Sequence, residues 1–416
     1  MRCLWTWRLS KIQGFAESYM LGEVDCSDLA AFFRVSAAGK HLLLEAIQEL
    51  RNVCMQIFIL NRQQLANATT WISSISSALN GFLRRTNTLS NALLNVSAHY
   101  DISNEMFAAF LSEDMTYSCP IWLSTNDPMS QKETLQDAQE RKLDRFIENA
   151  RIKSTDHVLE IGTGWGSFAI RAVEKTGCRV TSLTLSKEQK ELAEKFIAVA
   201  GLTDSIEVLL CDYRALPIPR QGRYDKVVSI EMLEAVGREF LSIYFECVDK
   251  LLKPEGGIAV FQCITMPETR YEEYAKGEDF IRKYIFPGGH LPTVSQLVES
   301  IVKGSKGSLI IENIENIGGH YAKTLRMWKE KFVQNFDTRI RAALISEHKG
   351  MTENDAALFR RKWEVSSASE NTNPLLTQLQ YYFTYCEAGF NTKTLGDVII
   401  TVGREGATEL LEMIPL

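Results

Sequence analysis

An apolar strand that runs directly into three alternating glycines constrains this chain more than any other feature. Residues 158–168 read Val-Leu-Glu-Ile-Gly-Thr-Gly-Trp-Gly-Ser-Phe, and a helical pattern follows them. Gly162, Gly164 and Gly166 permit left-handed backbone and a close approach to a ligand, and the following helix presents unpaired N–H groups to an anionic group. The segment predicts a cofactor-binding turn at the end of a strand. A tight turn without a ligand is the alternative.

The residues around this turn restrict the cofactor that it can hold. A dinucleotide fingerprint requires a third glycine where this chain has Ser167, and an acidic residue after the second strand, where it has Thr184-Leu-Ser186. A Walker loop is excluded, because no Gly-Lys-Ser/Thr ends the turn. A nucleoside cofactor without a pyrophosphate remains. S-adenosylmethionine is the one predicted, with its carboxylate near the N-terminus of the helix.

Short β-rich runs alternate with amphipathic helices from residue 154 to 260, which predicts an α/β fold with a doubly wound parallel sheet. The predicted strands are 157–161, 179–185, 206–210, 226–229, 256–261 and a late strand at 398–402. We predict that an α-rich, apolar-aromatic insertion at 265–335 forms a lid over the site, and that the polar run at 365–377 is a mobile loop. Helical periodicity separates an N-terminal region, 1–97, from the domain at 98–416.

The composition indicates a globular protein of the reducing cytoplasm. The 416 residues carry a formal charge of −6, which implies no bulk attraction to nucleic acid. Nine cysteines include no Cys-x-x-Cys pair, so neither disulfides nor structural zinc are expected. No apolar stretch reaches the roughly 20 residues of a membrane span, and membrane contact is therefore expected only at the surface. Arg84 and Arg85, beside Phe82 and Leu83, are the candidates, with an ordinary helical subdomain as the alternative.

Polar residues that follow the second and third strands extend the predicted cofactor site. Thr184 and Gln189 are placed to meet a ribose, while Asp212 could accept from an adenine amine and Tyr213 could pack on the ring. Ser186 and Gln189 also fit a capping box. We therefore expect this stretch to start a helix as well as to face the ligand.

Several longer stretches resemble one family, the cyclopropane-fatty-acyl-phospholipid synthases and mycolic acid cyclopropane synthases. The matching stretches are His99–Asn104, Met115–Cys119, the glycine turn, Thr184–Gln189, Ser229–Gly237, Lys283–Gly289, Gly319–Tyr321 and Tyr385–Phe390. The match begins at Gly14–Met20, which we interpret as entry partway into the family's N-terminal domain. The resemblance implies a Rossmann-like class I methyltransferase that uses S-adenosylmethionine. The cofactor-binding residues expected from the motifs and the resemblance are Tyr117, Ser118, Glu160, Gly162, Gly164, Trp165, Gly166, Thr184, Leu185, Ser186, Gln189, Asp212 and Tyr213.

The resemblance also implies the reaction. A cis double bond of an unsaturated phospholipid acyl chain attacks the sulfonium methyl, and loss of a methyl proton from the resulting carbocation closes a cyclopropane ring. The family's base is a bound bicarbonate. By residue match, the positions that would hold it are Cys119, Glu234, Gln262, Ile264 and Tyr321. Cys386 matches a cysteine assigned as catalytic in the family, with a buried core thiol as the alternative.

Two departures from the family leave the product open. The family commonly has histidine where this chain has Ala235 and Gln262, so a methyl branch or a methylene group could replace the ring. Glu231 precedes Glu234 by one predicted helical turn, and either faces the pocket or is a solvated helix residue. A small-metabolite C- or N-methyltransferase and a non-catalytic lipid-binding module are the competing functions. A homodimer is possible.

Overall fold

A seven-stranded mixed sheet organises the part of the chain that the structure describes. The computed structural model describes residues 103–276, 279, 281–286, 288–348, 351–353, 355–356, 359–360 and 382–411. The predicted helical region at 1–97, with its candidate membrane contact, and the predicted loop at 365–377 lie outside these residues. Within them, no helix is long and apolar enough to cross a membrane.

The strands follow the order β3-β2-β1-β4-β5-β7-β6 across the sheet. They are β1 (His157–Ile161), β2 (Arg179–Thr184), β3 (Ile206–Leu210), β4 (Lys226–Ile230), β5 (Ile258–Thr265), β6 (Ile310–Asn316) and β7 (Gly396–Gly403). The first five strands are parallel to their neighbours, as predicted, whereas β7 is antiparallel to both β5 and β6. The predicted parallel part of the sheet is thus formed by β1 to β5, and the late strand β7 adds an antiparallel part together with β6. A helix ends at Asn391, only a short turn before β7, and the chain enters the sheet from the carboxyl end of β5.

Helices cover both faces of this sheet. They are α1 (Asn104–Ala108), α2 (Leu135–Asn149), α3 (Ser167–Thr176), α4 (Lys187–Val199), α5 (Leu241–Leu251), α6 (Glu268–Lys276), α7 (Val294–Ser305), α8 (Gly319–Asn335), α9 (Arg341–Glu347) and α10 (Tyr382–Asn391). Short 3₁₀ turns lie at 213–215, 233–235, 238–240 and 408–411, and π-helical turns at 281–285 and 336–340. Complete capping boxes, Thr134 with Asp137 and Thr293 with Gln296, fix where α2 and α7 begin.

Two apolar clusters, one on each face, form the core. Val158 belongs to the first cluster and the adjacent Leu159 to the second, because successive strand residues point to opposite faces. The first cluster is aromatic, with Trp165 and Trp328 among its fully buried side chains. The carboxyl ends of the parallel strands thus sit between two packed layers, which holds the residues that follow them in place.

The segment at 265–335, predicted as an α-rich insertion, is mainly helical but also includes a strand that the sequence did not predict. It contains β6, which pairs with β7 at the edge of the sheet, and α7, which packs directly on α5. A Cβ at Gly304 of α7 would lie 2.4 Å from the Ser242 carbonyl oxygen, so the two helices meet at a glycine. Pattern reading missed β6 because an exposed edge strand carries charged residues, here Glu312 and Glu315, in place of a clean apolar run.

Candidate active site

The glycine turn after β1 has the backbone that its sequence predicts. Gly162, Gly164 and Gly166 have φ values of +105°, +53° and +93°, a region that side chains with a Cβ rarely adopt. The N–H groups of Gly162 and Thr163 both donate to the Leu183 carbonyl oxygen, each at 2.9 Å, which ties the turn to the end of β2. Gly166 is the N-cap of α3. The turn is therefore a fixed cradle between strand and helix.

A cavity of about 150 Å³ lies against this turn, at the carboxyl ends of the parallel strands. The predicted cofactor-binding residues that line it are Tyr117, Ser118, Glu160, Gly162, Gly164, Trp165, Thr184, Leu185, Gln189, Asp212 and Tyr213. The other two predicted residues, Gly166 and Ser186, begin the helices α3 and α4 as N-caps. The Ser186 hydroxyl accepts from the Gln189 backbone N–H, and the Gln189 side-chain oxygen accepts from the Thr184 hydroxyl at 2.9 Å.

Asp212 has a partner that the sequence did not suggest. Its carboxylate accepts hydrogen bonds from Arg214 Nε at 2.8 Å and from an Arg214 terminal nitrogen at 2.6 Å, and both side chains are largely buried. Arg214 lines the same cavity, and its guanidinium lies 5.4 Å from the centre of the Tyr213 ring. The pair is orientated by the 3₁₀ turn at 213–215. Any ligand group that reaches Asp212 therefore meets a carboxylate that Arg214 already orientates.

Two buried ionisable groups, Glu160 and Lys142, also line the cavity. Glu160 is 3% exposed, and burial raises its pKa from 4.5 to about 8. Lys142 is 0% exposed, and its Nζ donates to the Ser118 hydroxyl at 2.7 Å. Burial lowers the pKa of Lys142. Sequence reasoning missed Lys142, because a lysine within an amphipathic helix gives no sign of being buried.

Glu160 should destabilise the folded protein as the pH rises. The unfolded chain ionises this carboxyl from about pH 4.5, whereas the folded protein keeps it neutral up to about pH 8, so the free energy of unfolding falls across that interval. We expect Glu160→Gln to be more stable than the wild type by an amount that grows over this range, to the order of a few kcal/mol. Melting temperatures of both proteins between pH 4.5 and 8.5 would measure it. A constant difference across this range would contradict the assignment.

The residues expected to hold an anion do come together, but around a carboxylate of the protein itself. One oxygen of Glu231 accepts from the Cys119 backbone N–H at 2.7 Å and from Gln262 Nε2 at 2.8 Å. Its other oxygen accepts from the Tyr321 hydroxyl at 2.7 Å. The alternative of a solvated helix residue was wrong for Glu231.

Two more buried carboxyl groups surround Glu231, and we call the three of them the carboxylate cluster. Glu234 accepts from the Ile264 backbone N–H. Asp397, at the start of β7, accepts from Gln262 Nε2 at 2.7 Å. Both N–H bonds of the Gln262 amide are thus directed at carboxylates. Sequence reasoning did not include Asp397, because its strand is antiparallel and lies far along the chain.

Glu231 adopts an unusual backbone conformation. It follows the last residue of β4 and has φ +47°, and its N–H donates to the Gln262 carbonyl oxygen at 3.0 Å. The predicted helix through this segment is only a 3₁₀ turn at 233–235, so the expected helical spacing of Glu231 and Glu234 was wrong. A left-handed residue other than glycine costs about 1–2 kcal/mol. Such strain is found mainly at functional sites.

The charge of the carboxylate cluster resides on Glu231. Burial and the nearby Glu231 carboxylate raise the pKa of Asp397 well above its usual range, and burial and Glu231 raise that of Glu234 to about 8. Burial also raises the pKa of Glu231, but the Cys119 N–H, the Tyr321 hydroxyl and the positive charge of Lys142 all oppose that rise. Near neutral pH we therefore assign the protons to Asp397 and Glu234, and the negative charge to Glu231.

The two cysteines proposed as site residues are protonated thiols in this environment. Cys119 is 0% exposed, and burial raises its pKa well above the usual value. Cys386 lies on α10 and packs against the aromatic core cluster, and burial raises its pKa as well. A thiol that does not ionise is a poor nucleophile. Cys386 itself is half-buried, and the choice between a catalytic and a core thiol stays a prediction.

The segment that follows α6 contacts the carboxylate cluster. The His290 backbone N–H donates to the Glu234 carbonyl oxygen at 2.8 Å, and the Leu291 N–H donates to the Tyr274 hydroxyl at 2.9 Å. Burial, together with nearby arginines, lowers the pKa of His290 to about 4, so its ring is neutral. The loop at 288–291 therefore supports Glu234 through its backbone, which agrees with a structural role for His290.

Comparison with known proteins identifies a matching family and several similar proteins. Residues 87–363 match the family described as mycolic acid cyclopropane synthetase. The chain is 35% identical over 394 residues to tuberculostearic acid methyltransferase of Mycobacterium tuberculosis, covering 94% of this chain and 79% of that protein. It is 31% identical over 323 residues to cyclopropane-fatty-acyl-phospholipid synthase of Escherichia coli K12, covering 77% of this chain and 72% of that one.

A solved structure shares the fold. The crystal structure of mycolic acid cyclopropane synthase CmaA1 complexed with SAH and CTAB superposes with a TM-score of 0.60 at 27% sequence identity. The superposition covers 75% of this chain and 98% of that chain. The fold described above is thus one that a solved structure of this family also has.

Proposed function

This chain belongs to the mycolic acid cyclopropane synthetase family of S-adenosylmethionine-dependent methyltransferases, and from that premise we propose that it methylates the double bond of an unsaturated phospholipid acyl chain. One observation carries the proposal. The cavity at the glycine turn is lined by the Glu231 carboxylate as well as by the cofactor-binding residues. A half-buried carboxylate therefore faces the space in which the methyl group would be delivered.

The lining of the cavity fits S-adenosylmethionine. Three left-handed glycines open the strand-to-helix turn, Asp212 offers an acceptor for an amine, and Lys142 with the N-terminus of α3 offers positive charge to a carboxylate. When bound, the cofactor supplies a methyl group on a cationic sulfur, which keeps the bonding electron pair. The protein's part is to hold the acceptor against that methyl group and to exclude water.

The carboxylate cluster favours an alkene acceptor over an amine. An amine loses its proton from nitrogen, which water can accept, whereas an alkene becomes a carbocation that must lose a proton from carbon in a dry site. Tyr117 lines the cavity, and its ring centre lies 5.1 Å from that of Trp328. The ring of Tyr321, which donates to Glu231, lies 4.6 Å from that of Phe390, centre to centre. Ring faces stabilise a passing cation. A small-metabolite methyltransferase would need neither feature.

The product is either a cyclopropane ring or a branched chain that keeps one double bond, since both contain one CH₂ more than the substrate. The Escherichia coli relative is named a cyclopropane-fatty-acyl-phospholipid synthase, and this supports the ring. The Mycobacterium tuberculosis relative that spans 94% of the chain is named a methyltransferase, and this makes the branch the second candidate. The bicarbonate base implied by the family resemblance does not fit the donors of this site, which are bound to Glu231 and Glu234.

We expect the purified protein to add one CH₂ unit to unsaturated phospholipid in vesicles supplied with S-adenosylmethionine. Mass spectrometry of the lipids would detect the added mass, and proton NMR would separate ring hydrogens from those of a branch. Vesicles of saturated phospholipid with the same head group are the control, because they present the same surface without a double bond. Methylation of a small amine in the absence of lipid product would reject the proposal.

A further inference from the structure

We infer that the Glu231 carboxylate occupies the position of the family's bicarbonate and is itself the base of the reaction, an inference that rests on the proposed function. A carboxylate and a bicarbonate both present two oxygen acceptors on one planar carbon. Here the acceptors of Glu231 are held by the Cys119 N–H, Gln262 Nε2 and the Tyr321 hydroxyl. These are three of the five positions that the resemblance assigned to the anion, and the other two, Ile264 and Glu234, are bound to each other.

A second anion would find no donor at this position. Both Gln262 N–H bonds are directed at Glu231 and Asp397, and the Ile264 N–H is bound by Glu234. A bicarbonate would also place a second negative charge beside a buried carboxylate, which is unfavourable in a site of low dielectric. The carboxylate of the protein thus excludes the external anion, both by occupying its donors and by its charge.

Position and strain both single out Glu231 within the carboxylate cluster. It lines the cofactor cavity, whereas the residues that bind its oxygens, Cys119, Gln262 and Tyr321, do not. Its φ of +47° is one that glycine would adopt without cost. The chain retains a glutamate there, and its three hydrogen bonds hold the carboxylate towards the cavity.

The proton step is balanced without a further reactant. After methyl transfer, the neighbouring carbon of the former double bond is cationic. A Glu231 oxygen takes one proton from the new methyl group, and the electron pair of that C–H bond forms the third bond of the ring. A 1,2-hydride shift would instead move the cation to the carbon that bears the new methyl group. Loss of a methyl proton would then give a methylene group, and loss of a proton from the next chain carbon would give a chain alkene. In either case the proton on Glu231 returns to solvent when the product leaves.

Glu231→Gly and Glu231→Gln test this inference, with Glu234→Gln as the matched control. Binding is measured first, by NMR of ¹³C-labelled bicarbonate with each protein and no lipid. We expect no binding to the wild type, and binding to Glu231→Gly, whose vacated donors match the anion. Lipid methylation is then measured in buffer stripped of carbon dioxide, with and without added bicarbonate. The wild-type rate should not respond, and that of Glu231→Gln should fall by about 100-fold or more.

Wild-type protein that binds labelled bicarbonate, or that needs it for turnover, would overturn the inference. So would a Glu231→Gln variant that keeps the wild-type rate. The binding measurement uses no lipid, so its result is valid even if the wild type methylates no acyl chain. The inference about Glu231 and the proposed function can therefore be rejected independently of each other. Glu234→Gln keeps the donors of Glu231 occupied, so it should not bind bicarbonate. Melting temperatures would verify that each variant is folded.

Discussion

Gly164→Ala should bind S-adenosylmethionine about 100-fold more weakly than the wild type, equivalent to about 3 kcal/mol. Gly164 lines the cofactor cavity, and a Cβ built on it meets no protein atom within 4 Å. The added methyl group would therefore lie in the space proposed for the cofactor, while the fold itself has room for it. Titration calorimetry would measure the loss, and fluorescence of Trp165, which lines the same cavity, would provide an independent readout.

Gly177→Ala is the matched control for this loss. Gly177 is the C-cap of the same helix, α3, and also has a left-handed backbone, with φ +75°. Alanine there should cost similar backbone strain, about 1–2 kcal/mol, without touching the cavity. Its melting temperature should fall, while its affinity for S-adenosylmethionine should not. Equal affinity losses in the two variants would mean that strain, and not the cofactor site, explains the effect.

Lys142→Met should reduce lipid methylation at neutral pH by about tenfold for each unit by which the pKa of Glu231 rises. The Lys142 ammonium is the positive charge that opposes the raised pKa of this buried carboxylate. Without it, a larger share of Glu231 is protonated and cannot accept a proton. Because a base works in its ionised form, activity should recover as the pH increases. The rate measured against pH should therefore shift to the alkaline side.

Lys226→Met controls for the loss of a buried lysine. Lys226 is 2% exposed, and its Nζ pairs with Glu409 at 2.7 Å, on the side of the sheet where β4 begins. Its removal should destabilise the protein without moving the pH profile of methylation. A Lys142→Met variant with the wild-type profile and a reduced maximum rate would show that Lys142 serves cofactor binding alone.

The sequence was sufficient for the parts of the fold that local chemistry determines. Gly162, Gly164 and Gly166 indicate the cofactor turn, because residues other than glycine rarely adopt their backbone conformation. The strands β1 and β3 have the predicted bounds. The predicted site residues around Gln262 also meet in space. Each of these predictions depends on a short stretch of sequence, and the residues of that stretch are themselves the physical cause of the structure.

What the sequence did not reveal depends on contacts between distant segments. Asp397 joins the carboxylate cluster only because β7 inserts between β5 and β6, and the orientation of that strand is not encoded by its own apolar residues. The burial of Lys142 follows from the packing of α2 beside the cavity. Glu231 could be assigned a role only after its three donors were seen, since two of them lie about a hundred residues away on either side.

The place of β7 has a consequence for how the protein is made. Until residues 396–403 have left the ribosome, β5 has an unpaired edge made of buried apolar residues, open to pairing with other chains. Asp397 arrives with that same strand, so the site is completed by the last strand that the structure describes. Nascent chains that stall before it should be both inactive and prone to aggregate. Protection of the open β5 edge by a chaperone during synthesis would therefore matter more for this fold than for one whose strands join the sheet in the order of the sequence.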